Sequence, residues 1–263
     1  MLQFIIITMK GLFRDRVFQG VMMSAVFFIL IPSISSLSMR QVTELSITLS
    51  FSLLSAIVLF LSVFLGGSSL WKDMERRYSF SVLGLPMTRT SYLLGKFFGI
   101  ALFLLLTTLV LGALGCAVVG YTSGLYPPTR PVIWMNVILS LLFVSLKYIL
   151  VVAFAFLLST VSTSFFLPIF GSITVFFVGN ATQQVYDYLH SAYGQTYAPF
   201  IKKTATLLYY LLPNFSAFDL TVNAIYGIDL SASGLLLTAG YFIMYTAIVL
   251  TIATIVFSRR EIK

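Results

Sequence analysis

The sequence holds one cysteine and one histidine in 263 residues. Cys116 has no partner for an intrachain disulfide, and no Cys/His metal cluster can be built around His190. Charge is scarce as well. Only 9% of the residues are charged, eight of them acidic, against about 25% charged in a soluble domain. So few charges cannot cover a fold that is 59% hydrophobic and 16% aromatic, with a mean hydropathy of +1.01. An ordinary soluble enzyme, a disordered chain and a nucleic-acid-binding domain are excluded, the last despite a net charge of +8. The basic residues stand between or beside long apolar runs, where a membrane protein carries its topology signals. The glycine loop that cradles a nucleotide is missing too. No G-x-x-x-x-G-K-[ST] occurs, and the one Gly-Lys pair, Gly95-Lys96, is followed by Phe97.

What the chain has is length of apolar run. A helix needs about 20 mostly apolar residues to cross the hydrocarbon core. Six stretches qualify: about 17–37, 46–66, 92–120, 132–158, 165 to a polar end near 188, and 234–257. With six spans, eleven of the sixteen Lys and Arg fall on one side. They are Lys10, Arg14 and Arg16, then Lys72, Arg76, Arg77, Arg89 and Lys96, then Arg259, Arg260 and Lys263. Arg40, Arg130, Lys202 and Lys203 fall on the other, and Lys147 lies inside the fourth span. The positive-inside rule therefore puts both termini in the cytoplasm. Reading 197–212 as a seventh span would move the last basic cluster outside and bury Lys202 and Lys203 in lipid, so six is the expected number.

Residues 1–16 lack the basic n-region of a signal peptide. Leu2, Ile5, Ile6, Met9, Leu12 and Phe13 share one helical face, with Gln3, Lys10 and Arg14 opposite and Ile7 out of pattern. This predicts an interfacial helix on the cytoplasmic leaflet ahead of the first span. The cytoplasmic connection 67–91 predicts a second amphipathic helix. Leu70, Trp71, Met74 and Tyr78 share its apolar face beside Lys72, Asp73, Glu75, Arg76 and Arg77, before a break at Leu83-Gly84-Leu85-Pro86. Thr88 then starts the helix of the third span, with Lys96 placed to snorkel to the headgroups. Mixed charges on such a helix suit a protein groove better than lipid alone. The long connection 180–233 on the far side is rich in tyrosine, and its apolar pieces are too short to cross. They read as short re-entrant helices dipping into the outer leaflet. The expected fold is an all-α integral membrane protein, a single transmembrane domain over 1–263.

These two connections carry a family resemblance. Glu75, Pro86 and Arg89, followed by Gly95-Lys96, resemble the cytoplasmic loop of ABC-2 type transporter permeases; Tyr78-Ser79 stands where that family has a Gly-Thr-like step. Leu212-Pro213-Asn214-Phe215 is similar to the family's motif before the last span. The resemblance implies a non-catalytic permease subunit of a prokaryotic cytoplasmic-membrane transporter, usually an exporter. It implies two permease copies side by side, identical or related, each docked on a cytoplasmic ATPase subunit that binds the ATP and Mg. In that setting Leu70, Trp71, Asp73, Met74, Glu75, Arg76, Arg77, Pro86 and Arg89 are the ATPase-coupling residues.

Candidates for the translocation pathway are Lys147, Gln183, Asp187, Asn214 and Phe215. A lysine at mid-span costs about 2.5–3.5 kcal/mol to insert. It reads either as a contact for an anionic substrate or gating partner, or as a structural group paired with a carbonyl or with a hydroxyl such as Ser140 or Ser145, of its own subunit or a partner. Gln183 and Asp187 share a face, as do Asn180 and Gln184; they line an external vestibule or mark where the helix leaves the membrane. His190 reads as an interfacial polar residue and Cys116 as a small packing residue. Other classes remain. An ion-coupled secondary transporter would show midplane carboxylates and an internal repeat, neither of which is present. An intramembrane enzyme would need a nucleophile–base pair or metal ligands at depth. A non-transporting anchor that recruits a cytoplasmic partner would share the docking helix.

Overall fold

Residues 2–38, 41–75, 88–128, 130–191, 194 and 196–259 are described by a computed structural model of the chain. Hydrocarbon leaves an apolar backbone few solutions, because each N–H and C=O must be satisfied inside its own helix or a closed barrel. The chain takes the helical one, with no strand among the described residues. Among the described residues six segments are long and apolar enough to cross a membrane.

A short helix, α1 (Leu2–Phe13), comes first. The first span, Phe18–Ser35, is composite. It joins α2 (Arg16–Met23), a 3-10 stretch (Ser24–Leu30) and α3 (Ile31–Ser35). Pro32 has no N–H to return to the carbonyl of Phe28, which instead takes the Ile31 N–H three residues on, tightening the turn. Four long helices follow: α4 (Val42–Glu75), α5 (Arg89–Leu125), α6 (Trp134–Val161) and α7 (Phe166–His190). Then come α8 (Pro199–Leu211), a 3-10 turn (Phe215–Phe218), α9 (Thr221–Tyr226) and the last span, α10 (Ala232–Arg259). The six expected spans are all present. With 13 residues, α8 rises about 20 Å and is too short to be a seventh.

One boundary differs. The second span was expected to end at Gly66, with a separate helix from Leu70. Instead α4 runs unbroken for 34 residues to Glu75. Gly66 and Gly67 serve close packing here. A Cβ at 66 would meet the Ala155 Cβ at 3.1 Å, and one at 67 would meet Ile169 Cγ1 at 3.2 Å. At about 1.5 Å per residue, α4 is about 51 Å long and α5 about 55 Å, both well beyond the ~30 Å hydrocarbon core.

α4 and α5 hold one antiparallel register over that length. At one end the Thr43 hydroxyl donates to the Tyr126 carbonyl at 2.8 Å and the Thr122 hydroxyl to Ser46 Oγ at 3.1 Å. At the other, Lys96 Nζ donates to the Ser69 carbonyl at 2.6 Å. This second end, with Arg14, Lys72, Arg89 and Lys96, is the basic end of the bundle. α6 is the central helix, packed by α4, α5, α7, α9 and α10. Its residues 147–153 are buried without interruption. α1 crosses α5 where Gly99 leaves room for it: a Cβ there would lie 2.8 Å from the Thr8 Cβ. Phe13 and Phe18 both meet the Phe103 ring edge-on, at 4.9 and 4.8 Å. Leu12 is buried and Lys10 and Arg14 are exposed, as an amphipathic helix requires, although Ile6 and Phe13 join Ile7 on the exposed side.

The tyrosine-rich end is closed by the segment between α7 and α10. Asn136 Nδ2 on α6 donates to the carbonyls of Asn223 (3.1 Å) and Ile228 (2.9 Å), and Ser140 Oγ to that of Leu220 (3.0 Å). Gly227, with φ +62°, makes the left-handed turn that ends α9. Gly179 on α7 receives the chain at Pro213: a Cβ there would sit 2.4 Å from the Pro213 carbonyl oxygen and 2.8 Å from the Phe215 ring. Gly179→Ala is therefore expected to destabilise by about 1–3 kcal/mol through overpacking. Gly240→Ala, with nothing within 4 Å, should be neutral or gain up to about 1 kcal/mol of helix propensity. Thermal unfolding in detergent compares the two; equal effects would refute the contact.

Candidate functional site

Polar chemistry gathers at the two ends of the bundle. At the basic end, Lys96 lies in the second turn of α5 and is 8% exposed. Its ammonium is ion-paired with Asp73 near the end of α4, and the same carboxylate oxygen accepts the Tyr92 hydroxyl. The expectation that Lys96 snorkels to the headgroups is corrected. A carboxylate on the neighbouring helix is a nearer partner than the interface, and the Ser69 carbonyl takes a second N–H. One residue along, Lys72 pairs with Asp15 at 3.3 Å, tying α4 to the α1–α2 junction. Trp71 packs on Phe165 with centroids 5.1 Å apart, at the start of α7. Arg89 donates to the Ser258 carbonyl at 3.2 Å and Tyr92 stacks on Phe257 at 6.3 Å, both on α10. A cavity of about 340 Å³ opens between α1, α4 and α5, with both ion pairs in its wall.

Of the expected coupling residues, Leu70 is thus buried, and Trp71, Asp73 and Arg89 are engaged within the bundle. Met74 and Glu75 end the described part of α4. Arg76, Arg77 and Pro86 lie outside the described residues.

At the tyrosine-rich end the structure brings three of the expected pathway residues into one chain of hydrogen bonds. Gln183 Nε2 donates to both oxygens of Asp187 at 2.9 Å. Asn214 Nδ2 donates to Gln183 Oε1 at 2.7 Å, and Ser216 Oγ donates to Asn214 Oδ1 at 2.6 Å. The Asn214 backbone N–H reaches the Tyr241 hydroxyl on α10 at 2.9 Å. Phe215 is fully buried, its ring 5.7 Å from Phe176. Asn180 stays outside this chain, its buried Oδ1 without a partner among the described residues. His190 stacks on Tyr186 at 4.1 Å and its Nδ1 donates to the Tyr186 carbonyl at 2.8 Å. A cleft of about 420 Å³ beside Asn214 is walled by Tyr209, Tyr210, Tyr241 and Tyr245.

Lys147 stands between these ends on α6, 6% exposed. Among the described residues it has no hydrogen bond and no ion pair. The Ser145 hydroxyl donates to the Leu141 carbonyl and Ser140 to those of Asn136 and Leu220, and neither oxygen accepts a hydrogen bond from Lys147. Its closest electrostatic company is the Phe176 ring, 5.3 Å from Nζ, a contact worth about 0.5–2 kcal/mol.

Sequence reasoning missed Tyr92, Ser69, Asp15 and Tyr241. It also missed the pairing of Asp73 with Lys96, for which a signal existed. A hairpin of two helices puts Asp73 and Lys96 at matching distances from its tip, so their opposite charges mark a pair across it. No comparable signal points to Tyr241.

Two substitutions test these assignments. Asp73→Asn leaves Lys96 buried without a counter-charge and is expected to destabilise by roughly 2–3 kcal/mol, below the fully buried case because Asp73 keeps 31% of its side-chain exposure. Adding Lys96→Met should recover most of that loss; no recovery in a detergent melting series would deny the pair. Lys147→Met should do the reverse and stabilise by about 1–3 kcal/mol, since it removes an unpaired buried charge. A drop in melting temperature would instead assign Lys147 a structural partner. No protein-family model and no curated protein matches the chain, so its functional reading rests on the two polar ends of the bundle.

Proposed function

We propose that the chain is the permease subunit of an ABC-2 type transporter, non-catalytic itself and driven by ATP bound with Mg on a separate cytoplasmic ATPase subunit. Two copies, identical or related, form the pathway in a prokaryotic cytoplasmic membrane, with both termini inside and export as the direction. The observation that supports this most is the clamp of Asp73 on Lys96 and Tyr92. It joins the ends of the two longest helices just before the connection 76–87, where the resemblance puts the ATPase. A push on that connection reaches α4 and α5 together. Contacts from Lys72, Trp71 and Arg89 pass it to α1, α7 and α10. At the far end, the Asp187–Gln183–Asn214 chain links α7 to the segment before the last span, and Tyr241 brings in α10. Relative motion of α7 and α10 would open that chain, which suits the outer gate of such a pathway. Lys147, buried between the ends, suits a cargo with a negative group.

An ATPase with a Walker A motif, encoded beside this gene, is expected to co-purify with the protein. Glu75→Lys and Arg76→Glu should each cut the stimulation of its ATP hydrolysis on the order of tenfold, with membrane insertion unchanged. A purified protein that never retains an ATPase, or coupling unchanged in both variants, would sink the reading.

A further inference from the structure

The cavity of about 340 Å³ at the basic end is lined by more hydrogen-bond donors than the protein uses. An ammonium has three N–H groups. Lys72 spends one on Asp15, and Lys96 spends two, on Asp73 and the Ser69 carbonyl. Both face the cavity with capacity left, near enough to repel one another. Thr8, Ser68 and Ser69 also line it, and none of their hydroxyls has a partner among the described residues. Ser68 is the telling case. It is 5% exposed, and a buried helical serine ordinarily returns its hydroxyl to a carbonyl three or four residues back. Ser62 does so on the same helix, to Leu59 at 2.8 Å. Ser68 does not.

A site with spare cationic and hydroxyl donors calls for a ligand that only accepts, through several oxygens, and that carries negative charge. We propose that this cavity binds a phosphate group, seated between the Lys72 and Lys96 ammoniums and accepting from Ser68, Ser69 and Thr8. A phosphate there also relieves the repulsion between the two lysines. The ligand has two possible sources, a phospholipid headgroup from the leaflet at the basic end or free inorganic phosphate. Charge favours the lipid. Among the described residues of the lining two aspartates stand against two lysines, so a diester adds one negative charge to a balanced set and a free phosphate up to two, in a partly enclosed, low-dielectric place. The apolar part of the wall, from Ile7, Leu12 and Leu65, gives the ester stem and first methylenes a surface to lie on. The site does not depend on the transport reading, since ATPase binding and phosphate binding are measured separately.

The full chain in a neutral detergent is titrated with three probes: dioleoylphosphatidylglycerol, dioleoylglycerol with the same chains and no phosphate, and inorganic phosphate. Binding is read by native mass spectrometry and by the shift in melting temperature. Phosphatidylglycerol is expected to bind and dioleoylglycerol is not. Lys72→Gln and Ser68→Val should each weaken phosphatidylglycerol binding about tenfold, one charge-assisted bond's worth, while Lys72→Arg keeps it. Ser68→Val leaves both ion pairs intact, so it reads the site even if Lys72→Gln folds poorly. Inorganic phosphate that binds as tightly as the lipid, with the same sensitivity to both substitutions, supports the site and assigns it to the free ion. Equal binding of dioleoylglycerol, or phosphatidylglycerol binding unchanged in Ser68→Val and Lys72→Gln, overturns the proposal.

Discussion

An ammonium taken out of water loses several kcal/mol of hydration, and a carboxylate beside it returns the largest share of that. Lys96 meets this requirement through Asp73, and the geometry of the basic end follows from it. A helix pair of this length has many registers that bury similar apolar area, since smooth aliphatic surfaces slide past one another at little cost. One pair with opposite charge selects among them. The hydroxyl contacts at the far end of α4 and α5, Thr43 to Tyr126 and Thr122 to Ser46, agree with the register that Asp73 and Lys96 set. Once these two helices are fixed, α6 has a groove to fill, and α1, α7 and α10 attach to residues next to the pair.

The tyrosine-rich end is held by a different principle. There the chain leaves regular spans for about forty residues and must still satisfy its backbone. Side chains from the spans do part of that work: Asn136 and Ser140 on α6 take up carbonyls of the segment, and the hydroxyls of Tyr241 and Tyr245 on α10 meet the Asn214 N–H and the Leu211 carbonyl. This segment is therefore part of the bundle and not a loop laid over it. The small residue Gly179 and the large one Phe215 are complementary parts of the same joint.

Spans were readable because hydropathy over twenty residues is a strong signal, and all six lie where the apolar runs put them. The end of α4 was not. Gly66-Gly67 looks like a break when helix propensity is the only guide, yet here two neighbouring helices press on it and the cost of glycine is offset by close contact. Lys72 and Asp73 looked like an exposed docking face because periodicity describes one helix at a time, and their partners sit on other elements. Gln183 and Asp187 were legible as neighbours because both lie on one helix, four residues apart. The link to Asn214 was not, since it depends on how a non-helical segment returns to α7. Lys147 was visible at once as a charge in an apolar run; that neither Ser140 nor Ser145 accepts from it shows only in the folded bundle.

The crossing of α1 over α5 sets a timetable for biogenesis. Thr8 rests against Gly99, and Phe13 against Phe103. About 90 residues separate the partners, which at 5–20 residues per second is roughly 5–20 s of synthesis. For that interval the first helix is made and its docking surface is not. Two spans enter the membrane before the third provides the glycine it rests on. α1 is therefore made well before the helix it rests on, so the inserted chain passes through a stage in which Leu12 and Phe13 need another apolar host.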